Sequence, residues 1–471
     1  MKVSQSILSL SLVLFGLGTV AAPQGVSIAL AIPSGTPTPS LEFVEATKEE
    51  PETKEDGISS NSSSLGSPPP VLEIAFSKLK NIYRRYIADE LVDRGWSKKC
   101  NFGKVMVRKE WGTMSQSQRK KYTDAVKCLY NRPSQSDPVL VPGARNRLDD
   151  FVATHLTFSN NIHFNGYVFA WHRHFTYLYD QELRNECGYS GPTPYWDWVI
   201  DNADPRRSTV FDGSEFSMGG NGETIPHGNT SINAFGITLS LPPGTGGGCV
   251  TEGPFTDLVI NLGLSPNVSA PDQNQTAPPD VTSHYLAPFA DAFKGDTTAA
   301  VQKRQNDVPP EILQGLNYNP RCMTRDINLQ WAALATTTAL ARILSCGNVR
   351  CLEQRIDGWE EGASDEQQAR DQLHGGGHFT IGGLNNDPFA SPGDPVFFLH
   401  HANLDRLWTI WQSQNPTARL YEVGGTRTPF NNPPSDNVRE TDVLRYGVVG
   451  KDIIMRDVGS TLDGPYCYVY A

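Results

Sequence analysis

The residues with the clearest capacity for chemistry are histidines, because eight of the ten in the chain fall in two short windows. Neutral imidazole is the side chain that most often binds transition metals in proteins. Packing in a hydrophobic core does not explain such clustering, and we therefore predict a metal site. The two windows hold His155, His163, His172 and His174, then His374, His378, His400 and His401.

The second window opens with LHGGGHF, from Leu373 to Phe379, and this pattern fits two kinds of enzyme. An esterase uses His-Gly-Gly-Gly as an oxyanion loop, but it also needs a G-x-S-x-G nucleophile turn, which the chain lacks. A zinc hydrolase of the H-E-x-x-H type needs Glu where this chain has Gly375. What remains is an all-imidazole site suited to copper, zinc, nickel or iron, and two windows indicate two metals.

Helical periodicity surrounds both windows. His155 ends one predicted helix, His163 follows a short turn rich in Asn, and His172 opens the helix of WHRHFTYLYDQELRNECG. His374 and His378 are one helical turn apart and would converge on one metal. A further helix is predicted over RDINLQWAALATTTALARIL, and short β-prone runs follow residue 432. The globular part should therefore be mainly helical, with long loops between residues 201 and 310 and a few short strands.

The ends and the cysteines predict an exported protein. Residues 1–22 read as a cleaved secretory signal, and residues 23–70, rich in Pro, Ser, Thr and Glu, as a disordered propeptide or linker. Eight cysteines are typical of disulfides formed in an oxidising compartment, although 105 pairings are possible. We expect a secreted, extracellular glycoprotein whose candidate sequons are Asn61, Asn229, Asn267 and Asn274.

The net charge of −11 argues against nucleic-acid and anionic-membrane partners, both of which require a basic surface. No segment after the signal is long and apolar enough to cross a bilayer. We expect a small or neutral substrate and a monomer or weak homodimer.

The motifs WHRHFTYLYDQEL and DPVFFLHHANLDRLW resemble the copper A and copper B regions of the tyrosinase and catechol oxidase family of type-3 copper proteins. The resemblance runs from about Cys100 to Trp411, with a Tyr-x-Tyr tail at Tyr466 and Tyr468. It implies an antiparallel four-helix bundle core that holds a dinuclear copper site, within a catalytic domain over residues 71–471. The chain is most similar to the short, secreted fungal branch, without the C-terminal lid domain of many relatives.

The resemblance implies one set of three ligands for each of two copper ions. His400 and His401 lie about 100° apart on a helix, so one copper can hardly take both, and the motif's ligand is His401. His174 is expected to be structural or on the surface. The chain departs from the family pattern at Val168, where Phe is usual, and at Asp180, where Glu is usual. The implied ligands are His155, His163 and His172 for copper A, and His374, His378 and His401 for copper B.

Four other residues are candidates for roles in catalysis. Asn403 and Asp405 could accept the second N–H of a ligand histidine, although an ion pair of Asp405 with Arg173 is an equal alternative. Gly375 follows the first copper B histidine, where Asn, with a water held by a Glu, helps relatives to deprotonate phenols. Phe379 is expected to form a wall of the pocket.

The expected activity is oxidation of o-diphenols or o-aminophenols to o-quinones with two coppers and O2, and weak or no hydroxylation of monophenols. Glu361 could hold the water that Gly375 cannot. The alternatives are a full tyrosinase, a haemocyanin-like oxygen-binding protein, and a zinc protein without oxygen chemistry.

Overall fold

The computed structural model describes residues 27–29, 70–95, 98–138, 140–263, 314–360, 362 and 364–471. Apart from Pro70 and residues 27–29, the predicted signal and linker lie outside this range, as do Glu361 and the sequons at Asn61, Asn267 and Asn274. Asn229 is described and exposed. Within these ranges, no helix combines the length and apolar character that crossing a membrane requires.

The described part of the chain is mainly helical, as predicted. The α-helices are α1 (Pro70–Arg94), α2 (Gln116–Tyr130), α3 (Arg147–Phe158), α4 (Val168–Asn185), α5 (Leu329–Ala332), α6 (Thr337–Leu344), α7 (Val349–Ile356), α8 (Asp365–Asp371), α9 (Leu373–Ile381), α10 (Val396–Ser413) and α11 (Pro416–Arg419).

Short strands decorate the helices. They are β1 (Ser27–Ala29), β2 (Met106–Arg108), β3 (Gly222–Thr224), β4 (Thr230–Ala234), β5 (Ile237–Leu241), β6 (Gly247–Val250), β7 (Val259–Ile260), β8 (Arg321–Cys322), β9 (Val443–Leu444), β10 (Ile453–Ile454) and β11 (Tyr468–Tyr470). The sheets have the orders β1-β5-β4, β3-β6, β7-β8, β9-β10 and β2-β11, and the first and last contain parallel pairs. The predicted strands after residue 432 are present, and part of the predicted loop region forms the β4–β5 hairpin.

Polar side chains set several helix starts. Ser115 and Gln118 form a capping box at the start of α2. The segment predicted as one helix from Arg325 to Leu344 is instead two, α5 and α6. Thr336 explains the break, because its extended backbone and its side chain, which accepts the Ala339 N–H, start a new helix there.

Helices α4 and α10, which carry His172 and His401, pack against each other. A buried ionic network joins them. Arg173 on α4 is an ion-pair partner of Asp405 on α10, and both side chains are almost wholly buried. Asp405 also accepts from the hydroxyls of Tyr468 and Tyr470 and lies 3.5 Å from Arg108. The network thus ties the C-terminal strand β11 to the two helices that carry His172 and His401.

Four disulfides pair all eight cysteines, and no free cysteine remains in the part of the chain described. Cys128–Cys187 links the end of α2 to the segment after α4, and Cys346–Cys351 closes the α6–α7 turn. The remaining pairs are Cys100–Cys467 and Cys249–Cys322.

Replacing Asp405 with Ala should lower the free energy of unfolding by about 3–5 kcal/mol, because Arg173 would be left buried and unpaired. Chemical denaturation of the variant and the wild type measures the difference. Asp124→Ala is the control, since its pair with Lys120 is exposed and the free energy of unfolding should barely change. Equal losses in the two variants would contradict the assignment.

Candidate metal centre

Two groups of buried histidines form adjoining clusters. His155, His163 and His172 make cluster A, in which one nitrogen of each ring lies within 4.8 Å of the others. His374, His378, His400 and His401 meet the same criterion and make cluster B. The rings of His172 and His401 stack with centroids 4.3 Å apart, and those of His163 and His374 lie 6.0 Å apart. The histidines that the sequence singled out are therefore brought together as one paired site.

In cluster A, a backbone carbonyl fixes each ring. The Nδ1–H groups of His155, His163 and His172 donate to the carbonyls of Phe389, Ser159 and Val168 over 2.9, 2.9 and 2.7 Å. A carbonyl only accepts, so Nδ1 carries the proton of each neutral ring and Nε2 keeps its lone pair. The Nε2 atoms of His155 and His172 face one another at 3.5 Å. Cluster A thus presents neutral nitrogen donors to one point.

In cluster B, side chains replace carbonyls as acceptors. Nδ1 of His374 lies 2.6 Å from the carboxylate of Asp357, and Nδ1 of His378 lies 3.3 Å from Oδ1 of Asn385. Nε2 of His378 faces Nε2 of His401 at 3.3 Å. These bonds orient two of the rings by the same principle as in cluster A.

Burial favours the uncharged form of five of these imidazoles. Removal from water and, to a lesser extent, the nearby His374 lower the pKa of His155 to about 3, against the opposite effect of the Phe389 carbonyl. Burial and neighbouring histidines, in that order, hold the pKa values of His163, His172, His378 and His401 well below the usual range. Because only neutral imidazole binds a metal, the rings are competent ligands at and below neutral pH.

The residues fit metal ions. Nε2 of His374 is buried and has no hydrogen-bond partner, although its ring is anchored by Asp357 on the other side. Two pairs of Nε2 atoms also face each other across 3.3–3.5 Å, an arrangement that a cation between or beside them would stabilise. Nitrogen donors without a thiolate suit copper or zinc better than calcium or magnesium.

Phe397 forms a common floor beneath the two clusters. Its ring is fully buried and its centroid lies 4.1 Å from that of His401 and 5.2 Å from that of His155. It also lies within 6.4 Å of His172 and His378. In the sequence this residue is one of two phenylalanines in the DPVFF motif, and its apolar ring excludes water from beneath the site.

The three glycines of LHGGGHF have different surroundings. A Cβ at Gly377 would lie 2.2 Å from Cε1 of His400, so close packing on that ring requires glycine there. A Cβ at Gly375 would lie 3.1 Å from the ring of Phe379. Phe379, expected as a wall of the pocket, thus borders Gly375 and packs on Trp331 with ring centroids 4.9 Å apart.

His174 and His400, the two histidines of the windows that are not among the six implied ligands, differ in position. His174 is buried away from the clusters, and its Nδ1 lies 2.7 Å from the hydroxyl of Tyr466. His400 belongs to cluster B by distance, and its ring meets that of His378 edge-on with centroids 4.3 Å apart. Distance alone therefore does not separate His400 from His401.

The acceptors of the ligand histidines differ from those expected. Asp405 binds Arg173, the alternative raised by the sequence, and Asn403 accepts from Arg406 over 3.0 Å. The observed acceptors are Asp357 and Asn385, which sequence analysis missed. Asp357 lies 17 residues before His374, directly after the end of α7, and no helical spacing relates the two.

Known proteins show related sequences and a related structure. A family model described as the common central domain of tyrosinase matches residues 145–414. Tyrosinase-like protein orsC of Emericella nidulans is 38% identical over 70% of this chain and 80% of its own length. N-acetyl-6-hydroxytryptophan oxidase ivoB of the same organism is 33% identical over 79% and 93%. A solved mutant of the polyphenol oxidase from Thermothelomyces thermophila is similar with a TM-score of 0.68, 33% identity, and coverage of 86% of this chain and 99% of that one.

Replacing Asp357 with Ala should weaken copper retention about 10- to 100-fold, because His374 would lose the acceptor that orients it. Dialysis against graded chelator concentrations, followed by copper analysis, measures this change. Asp436→Ala, which alters a carboxylate in an exposed ion pair, should retain copper as the wild type does. Wild-type retention by Asp357→Ala would show that this contact does not support a ligand.

Proposed function

The chain belongs to the tyrosinase family of copper polyphenol oxidases, and from this we propose that it oxidises o-diphenols or o-aminophenols to o-quinones with O2. The observation that carries the proposal is the convergence of neutral imidazole nitrogens in two clusters that adjoin through His172 and His401. We assign His155, His163 and His172 to copper A, and His374, His378 and His401 to copper B.

The helices that carry these ligands support a bundle-like centre. α3 and α4 contribute His155 and His172, α9 contributes His374 and His378, and α10 contributes His401. α10 packs on both α4 and α9. We propose that α3, α4, α9 and α10 form the four-helix core that holds two copper ions, within a catalytic domain that spans residues 71–471.

Two copper ions, when bound, would together supply the two electrons that reduce dioxygen and would recover them from the diphenol. The protein's part is to hold the ligand nitrogens in place, and five of the six assigned rings are oriented through contacts of the opposite Nδ1 atom. Phe397 excludes water from below, which limits side reactions at the centre.

Preference for diphenols is proposed because the chain offers no evident base for a monophenol at Gly375. Glycine has no side chain that could bind a water, and the carboxylate of Asp357 already accepts from His374. Oxidation of an o-diphenol to an o-quinone adds no oxygen atom to the ring, so the missing base matters less for a diphenol than for a monophenol.

A full tyrosinase is the second candidate. The name of ivoB, N-acetyl-6-hydroxytryptophan oxidase, describes oxidation of a substrate with one hydroxyl on an aromatic ring, and 93% of that protein is covered by the similarity. If this chain resembles ivoB in its chemistry, monohydroxylated rings are substrates as well.

We also propose secretion, with residues 1–22 as signal and residues 23–70 as a propeptide or linker. The four disulfides support an oxidising compartment. A small phenolic substrate suits the family, and we keep a monomer or weak homodimer as the expected state.

Copper stoichiometry tests the ligand assignment. His401→Phe should bind about one copper fewer per chain, while His400→Phe should keep both, since its ring would still fill the space beside Gly377. Metal analysis gives the copper content and identifies any zinc, and circular dichroism checks the fold. Loss of copper from His400→Phe alone would reverse the assignment.

Oxygen uptake tests the activity. The copper-loaded protein should consume O2 rapidly with catechol and slowly with phenol, and Gly375→Asn should raise the rate with phenol relative to catechol about tenfold. Gly375→Ala is the matched control, because it adds the same Cβ beside Phe379 without an amide. Equal rates with both substrates in the wild type would favour a full tyrosinase; no uptake with either would reject the proposal.

A further inference from the structure

The β4–β5 hairpin has an unusual turn. Ala234 pairs with Ile237, which leaves Phe235 and Gly236 as a two-residue loop with φ values of +54° and +78°. Turns with positive φ at both central residues are of type I′ and usually carry Asn-Gly. A bulky aromatic side chain is disfavoured in this conformation, so a contact of the Phe235 ring must offset the strain.

That contact is with cluster A. The Phe235 ring centroid lies 5.5 Å from that of His163 and 5.7 Å from that of Phe389. His163 is only 6% exposed, whereas Phe235 is half-buried, so the phenylalanine forms part of the cover between that ligand and solvent.

Two more phenylalanines with the same strained backbone meet at this place. Phe164, directly after His163, and Phe430 both have φ of +54°, and their rings stack at 4.4 Å. Phe164 also contacts Phe235 at 5.2 Å. Among the described residues, the non-glycine positions with positive φ are these three and Asn431. Strain of this kind collects where function requires a particular placement, and here it surrounds one histidine.

The other end of the hairpin rests near cluster B. Leu239 and Leu241 of β5 form a small core with Trp331, and Phe379 packs against it. Phe379 directly follows His378. The hairpin therefore reaches from the copper B side, where it is anchored, to the copper A side, where its tip lies.

We propose that the hairpin is a lid and that Phe235 is a specificity-determining residue at the entrance above His163. His378 is partly exposed, whereas His155, His163 and His172 are each at most 6% exposed, so an aromatic ring reaches the copper A side only if part of this cover moves. The Phe235 ring occupies the approach to His163 and, when the tip swings outward, stacks against the entering ring. The size of the side chain at position 235 thus decides how large a substituted ring can enter. This inference rests on the proposed function.

Three variants of the copper-loaded protein test the lid. Phe235→Asn removes the ring and creates the Asn-Gly turn, so the hairpin should keep its shape and the melting temperature should not fall. Phe235→Trp enlarges the ring at the same place. Phe102→Asn is the control, because Phe102 is a 54% exposed phenylalanine outside the hairpin.

Calorimetry with benzoate and 4-tert-butylbenzoate measures ring binding without turnover. Phe235→Asn should tighten binding of 4-tert-butylbenzoate about tenfold, and Phe235→Trp should weaken it about tenfold. Both variants should bind benzoate within about twofold of the wild type. The control should match the wild type with both acids. The KM for 4-tert-butylcatechol, relative to that for catechol, should follow the same order.

Binding within about twofold of the wild type in both Phe235 variants, for both acids, would overturn the lid. Because benzoates are not oxidised, the binding series is independent of the oxygen-uptake result. A protein that oxidises no diphenol but shows the predicted binding order would therefore refute the proposed activity and still support the lid.

Discussion

Each orienting hydrogen bond at the metal centre lies on the far side of the imidazole from the metal position. In cluster A, Nδ1–H donates to a main-chain carbonyl, which fixes both the ring and the nitrogen that carries the proton. Burial then keeps the ring neutral, and the lone pairs point inward. The three carbonyls come from the turn after α3, the first residue of α4 and the segment between α9 and α10, so the backbone of all three must keep its conformation if the carbonyls are to meet the rings. The conformation of ordinary main chain thus controls the chemistry of the site.

The helices themselves are held by charges that never touch a ligand. Arg173 follows His172, and Asp405 is one turn beyond His401, so their ion pair joins the two helices immediately behind the two clusters. Tyr468 and Tyr470 complete the bonds of the carboxylate. A small shift of α4 relative to α10 would separate the clusters and also break this network, so stability and site geometry rest on the same contacts.

Sequence patterns predicted the helical fold, the grouping of the histidines and the helices that carry them, since local spacing determines these features. They did not predict the acceptors Asp357 and Asn385, because α7 and the turn after α9 reach the histidines only through tertiary packing. The sequence left Asp405 between a ligand histidine and Arg173 for the same reason, because the packing of α4 on α10 decides which of them it meets. The position of Phe235 was equally hidden, because a Phe-Gly pair in a loop-rich stretch gives no signal of a hairpin turn.

The disulfide between Cys100 and Cys467 joins positions 367 residues apart, close to the two ends of the described catalytic region. In covalent terms this turns most of the chain into a ring. A protease that cuts once anywhere between the two cysteines would open the ring, but both pieces would remain one molecule. Residues before Cys100 and after Cys467 lie outside the ring, so a cut there would release a peptide even without reduction. Maturation by a single internal cut would therefore be invisible on a non-reducing gel and would appear only after reduction.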